Sequence, residues 1–294
     1  MDFNALPAST VLSDFVTITQ YGDNKIVRVI HPKASAAISL HGGHVLSYQP
    51  TGQDDLIWMS KDAIYDNTTA LRGGIPICWP WFGRIAAPAH GFARTTEWAL
   101  LEHRENDDGV IISLGLSDSE ATRSIWPHQF SLVLNVEIND ELRVTLSATN
   151  TDNAPWVFSG ALHTYLNVGD ITATEVTGMG PTYIDSLLEG KRCEGGASLT
   201  LTDTIDRVYT SPETEILVND RAMKRCLSVK NQGHNSAVLW NPWAAGAQAM
   251  GDMNDDGYQS FLCVESTLHA PSLQQGQQVA PGETYQLSTV IGKQ

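Results

Sequence analysis

Residues 110–116 read VIISLGL, residues 131–138 read SLVLNVEI and residues 141–148 read ELRVTLSA, and these three stretches decide the fold class. Apolar and polar residues alternate in each of them, which is the pattern of a β-strand with one buried face. The segments Asp107-Asp108-Gly109 and Asn139-Asp140 precede two of these strands and contain residue types that tolerate positive φ in tight hairpins. The pattern therefore predicts neighbouring antiparallel strands.

The same alternation recurs near both ends of the chain, at residues 25–30 and 286–291. No Ser/Pro-rich or charged linker interrupts the 294 residues, of which 42% are hydrophobic and 8% aromatic. A chain of this length and composition can bury a large core. We predict a single domain over residues 1–294, with about the first 20 residues at its periphery.

Helical periodicity is confined to two short segments. Ser117 or Asp118 would cap a helix over residues 118–125 that Trp126-Pro127 ends, and a turn is predicted around residues 60–65. Helices do not alternate with strands along the chain. The sequence therefore predicts an all-β protein with few short helices, built as a large antiparallel sandwich.

Charge and cysteine content narrow the function classes. Lys and Arg number 18 against 33 Asp and Glu, and the net charge of −15 argues against a nucleic-acid or anionic-membrane partner. Residues 1–19 contain acids but no basic region and no long apolar run, so we expect a cytoplasmic protein. We also expect a monomer. The four cysteines have no metal-type spacing and predict no disulfide framework.

A segment rich in arginine, glycine and tryptophan stands out from these strands. Residues 70–83 read ALRGGIPICWPWFG and residues 90–94 read HGFAR. Arginines and a histidine set among glycines, prolines and large aromatics are typical of a shaped pocket that holds a polar ring and an anion. In a chain of net charge −15, an anion must be attracted by such local cations.

Four further motifs follow in order: LHTYL at residues 162–166, TIDRVY at 204–209, WNPW at 240–243 and CVE at 263–265. Together with the arginine segment they resemble the glucose-6-phosphate 1-epimerase family, or hexose-6-phosphate mutarotases, a branch of the aldose 1-epimerase superfamily. The resemblance extends from about residue 20 to the C-terminus. It implies a galactose mutarotase-like β-supersandwich, and cofactor-independent interconversion of the α and β anomers of a hexose 6-phosphate, with glucose 6-phosphate favoured.

Opening a pyranose ring requires one base and one acid, so no metal or other cofactor is expected. His163 and Tyr165 would share one face of a strand, where a lone histidine is more often a core residue. Glu265 ends the apolar strand 261–264, a place where an acid is rarely buried without a purpose. The resemblance implies that His163 is the general acid and Glu265 the general base.

The resemblance also implies the residues that bind the small-molecule sugar phosphate. Arg72 and Arg94 would hold the 6-phosphate with their guanidinium forks. The alternative is that these are surface arginines stacked on Trp79 or Trp81. The tryptophans would form the apolar wall of the sugar site, or else belong to the core.

Two further residues would complete the substrate site. Asp206 would bind sugar hydroxyls, the alternative being a surface ion pair with Arg207. His90 would bind a hydroxyl or the phosphate, or else order its loop.

Two segments imitate metal-binding motifs, and two other functions are alternatives to sugar epimerisation. Residues 252–257 imitate the start of a calcium loop, but Cys263 stands at the twelfth position, where glutamate is required. His41 and His44 lack a third ligand nearby, and a glycine-rich turn explains them better. A non-catalytic carbohydrate-binding or sensor protein remains an alternative. A glycoside hydrolase or lyase is a weaker one, because hydrolysis ordinarily uses two carboxylates.

Overall fold

The computed structural model describes residues 2–294, which form mainly antiparallel strands. The strands of the first part of the chain are β1 (Ala8–Val11), β2 (Val16–Tyr21), β3 (Asn24–Ile30), β4 (Ala34–Ser39), β5 (His44–Pro50), β6 (Ile77–Cys78), β7 (Ala99–Asn106), β8 (Gly109–Ser117), β9 (Phe130–Ile138), β10 (Leu142–Asn150), β11 (Trp156–Phe158) and β12 (Gly160–Leu162). Those of the second part are β13 (Tyr165–Asn167), β14 (Thr174–Thr177), β15 (Thr182–Asp185), β16 (Lys191–Glu194), β17 (Ser198–Thr200), β18 (Ile205–Tyr209), β19 (Glu215–Asp220), β20 (Arg225–Gln232), β21 (Ser236–Asn241), β22 (Phe261–Leu268), β23 (Gln277–Val279) and β24 (Thr284–Lys293).

Helical structure is sparse in the described part of the chain. The α-helices are α1 (Glu120–Ile125) and α2 (Trp243–Gln248), and short 3-10 turns lie at Phe3–Ala5, Ala93–Thr95, Ile171–Ala173, Ser186–Leu188, Gly257–Ser260 and Leu273–Gln275. Within residues 2–294, none of these helices has the length and apolarity that crossing a membrane requires.

The strands form three large sheets and one small one. The first sheet runs β1-β2-β3-β4-β5, the second β17-β14-β19-β20-β24-β10-β9-β8-β7, and the third β16-β15-β18-β21-β22-β12-β6, where β13 also pairs with β22. Strands β11 and β23 form a separate pair. Neighbouring strands such as β8 and β9, or β9 and β10, are antiparallel, so the predicted all-β class is confirmed.

Strands β9 and β10 show why the alternating pattern folds in this way. Every second residue of both strands is buried, and Val144 lies opposite Val136 while Leu146 lies opposite Leu134. Burial of such a side chain contributes about 1.5–3 kcal/mol. A shift of one residue in the pairing would turn these side chains to the opposite face, so the buried face determines the register.

Helix α1 begins one residue later than a cap at Asp118 allows, and two residues later than a cap at Ser117. Ser119 is the N-cap: its hydroxyl accepts a hydrogen bond from Thr122 N, and Thr122 Oγ1 accepts one from Ser119 N. Asp118 instead accepts from Phe130 N at 3.2 Å and pairs with Arg123. The cap expectation at Ser117 or Asp118 was therefore wrong, because Asp118 is engaged by the start of β9.

The core is continuous from β2 to β24 and includes the tryptophans of the arginine segment. Trp79 and Trp81 are both fully buried, and Trp79 packs against Trp126, Phe130 and Trp156. They therefore do not form the wall of a sugar site, and the described residues show no arginine stacked on them. At the N-terminus, β1 is exposed along its length. The single-domain boundary of residues 1–294 stays a prediction.

Candidate active site

One face of the third sheet collects the polar residues of four separate motifs. Asp206 on β18 lies opposite Trp240 on β21, and Trp240 in turn lies opposite Cys263 on β22. On its other side, Cys263 lies opposite Tyr165 on β13. Directly opposite residues share a face, and residues two apart on one strand do as well, so Glu265 belongs to the same face. Strand pairing thus brings distant motifs into one row.

His163 occupies a break in the strand that the sequence predicts as continuous. Strand β12 ends at Leu162 and β13 begins at Tyr165, while His163 N donates to Pro76 O at 3.0 Å. The His163 ring stacks on Tyr165 with centroids 5.0 Å apart and planes 10° apart. The expectation that both rings share one side therefore agrees with the structure, although the backbone between them leaves the sheet ladder.

His163 and Glu265 form a close buried pair. Nδ1 of His163 lies 3.3 Å from Oε1 of Glu265, and the two side chains are 11% and 1% exposed. Neither this Nδ1 nor Oε2 of Glu265 makes a hydrogen bond within the described chain. The geometry holds a potential acid and a potential base side by side, in surroundings that exclude most water.

The site environment shifts the pKa values of this pair in opposite directions. Burial raises the pKa of Glu265 well above its usual value; Asp206 raises it further, and Arg94 opposes the shift. Burial lowers the pKa of His163 well below its usual value, and His90, Arg94 and Arg72 act in the same direction. At pH values between these two pKa values, the pair carries one proton.

Arg72 is oriented from two sides. Its Nε lies 3.2 Å from both carboxylate oxygens of Asp252, and its Nη1 donates to the Tyr165 hydroxyl at 3.1 Å. The next residues, Gly73 and Gly74, have φ of +106° and +67°. A Cβ at Gly74 would overlap the imidazole of His44 on β5, so only glycine allows this segment to approach β5 so closely.

Arg94 lies in the short turn Ala93–Thr95 and reaches toward the same site. Its Nη2 donates to Ala89 O at 3.0 Å. Its Nε is buried and makes no hydrogen bond within residues 2–294. The charge of Arg94 lowers the pKa of both His163 and Glu265.

His90 orders its loop and also faces the site. It has φ of +65°; its N donates to Gly83 O at 2.7 Å, and its Nδ1 accepts from Gly83 N at 3.3 Å. Burial and the charges of Arg94 and Arg72 lower its pKa to about 3, so the ring is neutral. A neutral ring that accepts at Nδ1 carries its proton on Nε2. Its ring centroid lies 5.8 Å from that of His163.

Asp206 and Arg207 do not form the alternative surface ion pair. Arg207 Nε lies 3.6 Å from Asp185 Oδ2, and its guanidinium stacks over Tyr183 at 4.3 Å. Successive strand residues point to opposite faces, so Asp206 turns toward Glu265 instead. Burial, together with Asp185, raises the pKa of Asp206.

Several residues of this site carry no usable signal in the sequence. Asp252 lies 180 residues from its partner Arg72 and was considered only as part of an imitation calcium loop. Tyr165 and Cys263 fall inside quoted motifs, yet only strand pairing shows that they adjoin the buried pair. His44 and His41 do not form a metal pair: Nε2 of His44 donates to Gly73 O, and Nε2 of His41 donates to Thr69 O.

Comparisons with known proteins identify the family of this chain. Residues 25–292 match the family model described as aldose 1-epimerase. A Salmonella typhimurium protein named "Putative glucose-6-phosphate 1-epimerase" is 39% identical over 288 residues, 96% of each chain. An Escherichia coli protein of the same name is 38% identical, over 89% of each chain.

The solved structure titled as a "putative mutarotase (YeaD)" from Salmonella typhimurium has a TM-score of 0.92 and 37% identity, covering 99% of this chain and 97% of that one. The resemblance inferred from the motifs and the predicted galactose mutarotase-like sandwich are thereby confirmed. The chain belongs to the aldose 1-epimerase family, and it is an enzyme that interconverts the anomers of a sugar.

Proposed function

We propose that the substrate is a hexose 6-phosphate, with glucose 6-phosphate favoured, and that His163 and Glu265 carry out the proton transfers. The observation that carries this proposal is a buried acid–base pair, 3.3 Å apart, with two arginines close enough to act on it. The names of the two bacterial relatives support the choice of a phosphorylated sugar.

In the proposed mechanism, Glu265 takes the proton of the anomeric hydroxyl while His163 donates a proton to the ring oxygen. The C1–O5 bond breaks, and the open aldehyde rotates about the bond between C1 and C2. Reclosure on the other face reverses both transfers, so each group serves once as acid and once as base. One proton held by the pair is sufficient for the cycle. Each positioned group accelerates the reaction by about 10²–10⁴-fold.

The phosphate would also bias the position of that proton. Arg94 lowers the pKa of both groups, whereas Arg72 is among the charges that lower the pKa of His163 and not among those that act on Glu265. A phosphate that neutralises Arg72 therefore favours the imidazolium without an equal effect on the carboxylate. Substrate binding would move the shared proton toward His163, the position that ring opening requires.

Asp206 and His90 complete the proposed site. The Asp206 carboxylate lies on the Glu265 face of the sheet and can accept hydrogen bonds from two sugar hydroxyls. Nε2–H of the neutral His90 can donate to a hydroxyl or to a phosphate oxygen. Both residues would orient the ring so that the anomeric hydroxyl meets Glu265.

Exchange of the two anomeric proton signals of glucose 6-phosphate, followed by NMR, tests this function. Catalytic amounts of the protein should accelerate exchange at near-neutral pH over a protein-free sample. Exchange no faster than in that sample would instead favour a sugar-binding or sensor protein. Release of free sugar from a disaccharide would indicate a hydrolase.

A further inference from the structure

Cys263 has no part in the proposed proton transfers, yet it adjoins the groups that do. Ligand atoms of His163, Cys263 and Glu265 all lie within 4.8 Å of one another, and all three residues are buried. Cys263 and Glu265 lie two residues apart on one face of β22, and the pairing of Tyr165 with Cys263 brings the His163 turn beside them. The cluster is therefore built by strand register and not by flexible surface side chains.

The donor set has the chemistry of a site for a thiophilic divalent cation. Thiolate, imidazole and carboxylate are the ligands of Zn²⁺, and three protein ligands leave a fourth position open. Nδ1 of His163 and Oε2 of Glu265 are buried without a hydrogen-bond partner in the described chain. The hard cations Mg²⁺ and Ca²⁺ favour sets made of oxygen alone, so they fit this cluster poorly.

We propose that His163, Cys263 and Glu265 form an inhibitory Zn²⁺ site. The metal enters from the His163 side, where the cluster reaches solvent, since Cys263 is fully buried. Coordination replaces the thiol proton of Cys263, and the carboxyl proton of Glu265 where it is present, and both pass to solvent. The bound ion then occupies the lone pairs that the proton transfers use.

Cobalt(II) in place of Zn²⁺ tests the site without any measurement of activity. A cobalt–thiolate bond gives a strong near-ultraviolet charge-transfer absorption, and we expect it in the wild-type protein at one metal per chain. Cys263→Ser should abolish the band. Cys78→Ser is the matched control, because its thiol is equally buried and lies outside the cluster, and it should keep the band.

Cys263→Ala serves as a second variant, and circular dichroism establishes that both Cys263 variants are folded. A wild-type protein without the band, or a folded Cys263 variant that keeps it, would overturn the site.

The activity measurement rests on the proposed function. At about ten times the Kd for Zn²⁺, anomeric exchange should fall about tenfold by mass action, and EDTA should restore it. Mg²⁺ should have no effect, and Cys263→Ser should resist Zn²⁺. Equal inhibition of Cys263→Ser would contradict the site. A cobalt band without inhibition by Zn²⁺ would leave the site standing and contradict the roles proposed for His163 and Glu265.

Discussion

In the proposed mechanism, single side chains determine the chemistry, and Glu265 is the more deeply buried member of the acid–base pair. It is 1% exposed, and burial raises its pKa well above the usual value, which makes its carboxylate a stronger base. An ordinary surface glutamate would be fully ionised at near-neutral pH and would be a weaker base. Burial between apolar strand residues is therefore what makes this carboxyl group useful.

Replacement of either member of the pair should remove catalysis and spare binding. Glu265→Gln and His163→Asn each keep shape and polarity but cannot exchange a proton, so the expected loss of exchange is about 10²–10⁴-fold. NMR exchange measures the rate and calorimetric titration measures the affinity. Wild-type turnover in either variant would contradict the assignment, as would loss of activity on treatment with EDTA.

Occupation of the arginines should raise the pKa of His163. That pKa lies below 6.5 because burial and neighbouring charges disfavour the imidazolium, so the acid limb of the pH–rate profile should also lie below 6.5. Inorganic phosphate should move the imidazole titration, followed by NMR, to higher pH. Arg72→Ala should raise the pKa without phosphate and weaken the response. An unchanged titration at saturating phosphate would contradict the coupling.

Removal of either arginine proposed to bind the phosphate should affect one class of sugar only. Arg72→Ala or Arg94→Ala should raise KM for glucose 6-phosphate about tenfold or more, since a hydrogen bond to a charged group contributes about 1.5–3 kcal/mol. Lys at either position should recover part of the loss, because it keeps the charge without the fork. Equal losses on glucose and glucose 6-phosphate would show that these arginines shape the loop instead.

At the scale of elements, the sequence predicted what depends on local pattern. Strands β8, β9 and β10 follow from alternation, because one face of each strand is buried. The break at His163 could not be predicted, since the bond from its N to Pro76 O joins segments distant in sequence. The contact of Asp252 with Arg72 could not be predicted for the same reason, because the two residues are 180 positions apart. The motifs supplied candidates for the site, and only strand register shows which of them meet.

The tight glycine turns can be tested with a matched pair of variants. Gly91 and Gly52 have similar φ, +72° and +75°, but a Cβ at Gly91 would overlap Trp79 O, whereas the space around Gly52 is open. Gly52→Ala should cost about 1 kcal/mol of backbone strain. Gly91→Ala should lower the free energy of unfolding, measured in urea, by at least about twice that amount. It should also raise KM, because Arg94 follows three residues later and would be displaced. Equal losses would contradict this account.

At the scale of the whole molecule, the arginine of a buried ion pair links two sheets. Arg225 on β20 and Asp220 on β19 are 5% and 0% exposed, with Nε 3.4 Å from Oδ2, and Arg225 also donates to Asn167 O on β13. Burial of two charges is costly unless both are satisfied. The ion pair itself lies within the second sheet, and the hydrogen bond from Arg225 to Asn167 O connects that sheet to β13 of the third.

Removal of one partner should consequently be costly. Arg225→Ala leaves Asp220 buried without its cation and should lower the free energy of unfolding by about 3–5 kcal/mol. Arg221→Ala is the control, because its pair with Glu175 is largely exposed and should contribute under about 1 kcal/mol. Urea unfolding of both variants measures the difference. Similar losses of unfolding free energy in the two variants would contradict the larger cost expected for breaking the buried pair.

The crowded glycines of the arginine segment also set where this enzyme can diversify. Backbone or side-chain atoms fill the space beside Gly73, Gly74 and Gly91, so hardly any other residue can be accommodated at these three positions. Gly83 begins a half-exposed loop with open space beside its Cα, and that loop ends at His90 against the site. Descendants of this chain that change sugar preference should accumulate their substitutions and insertions in residues 83–89, while Arg72 and its glycines stay unaltered.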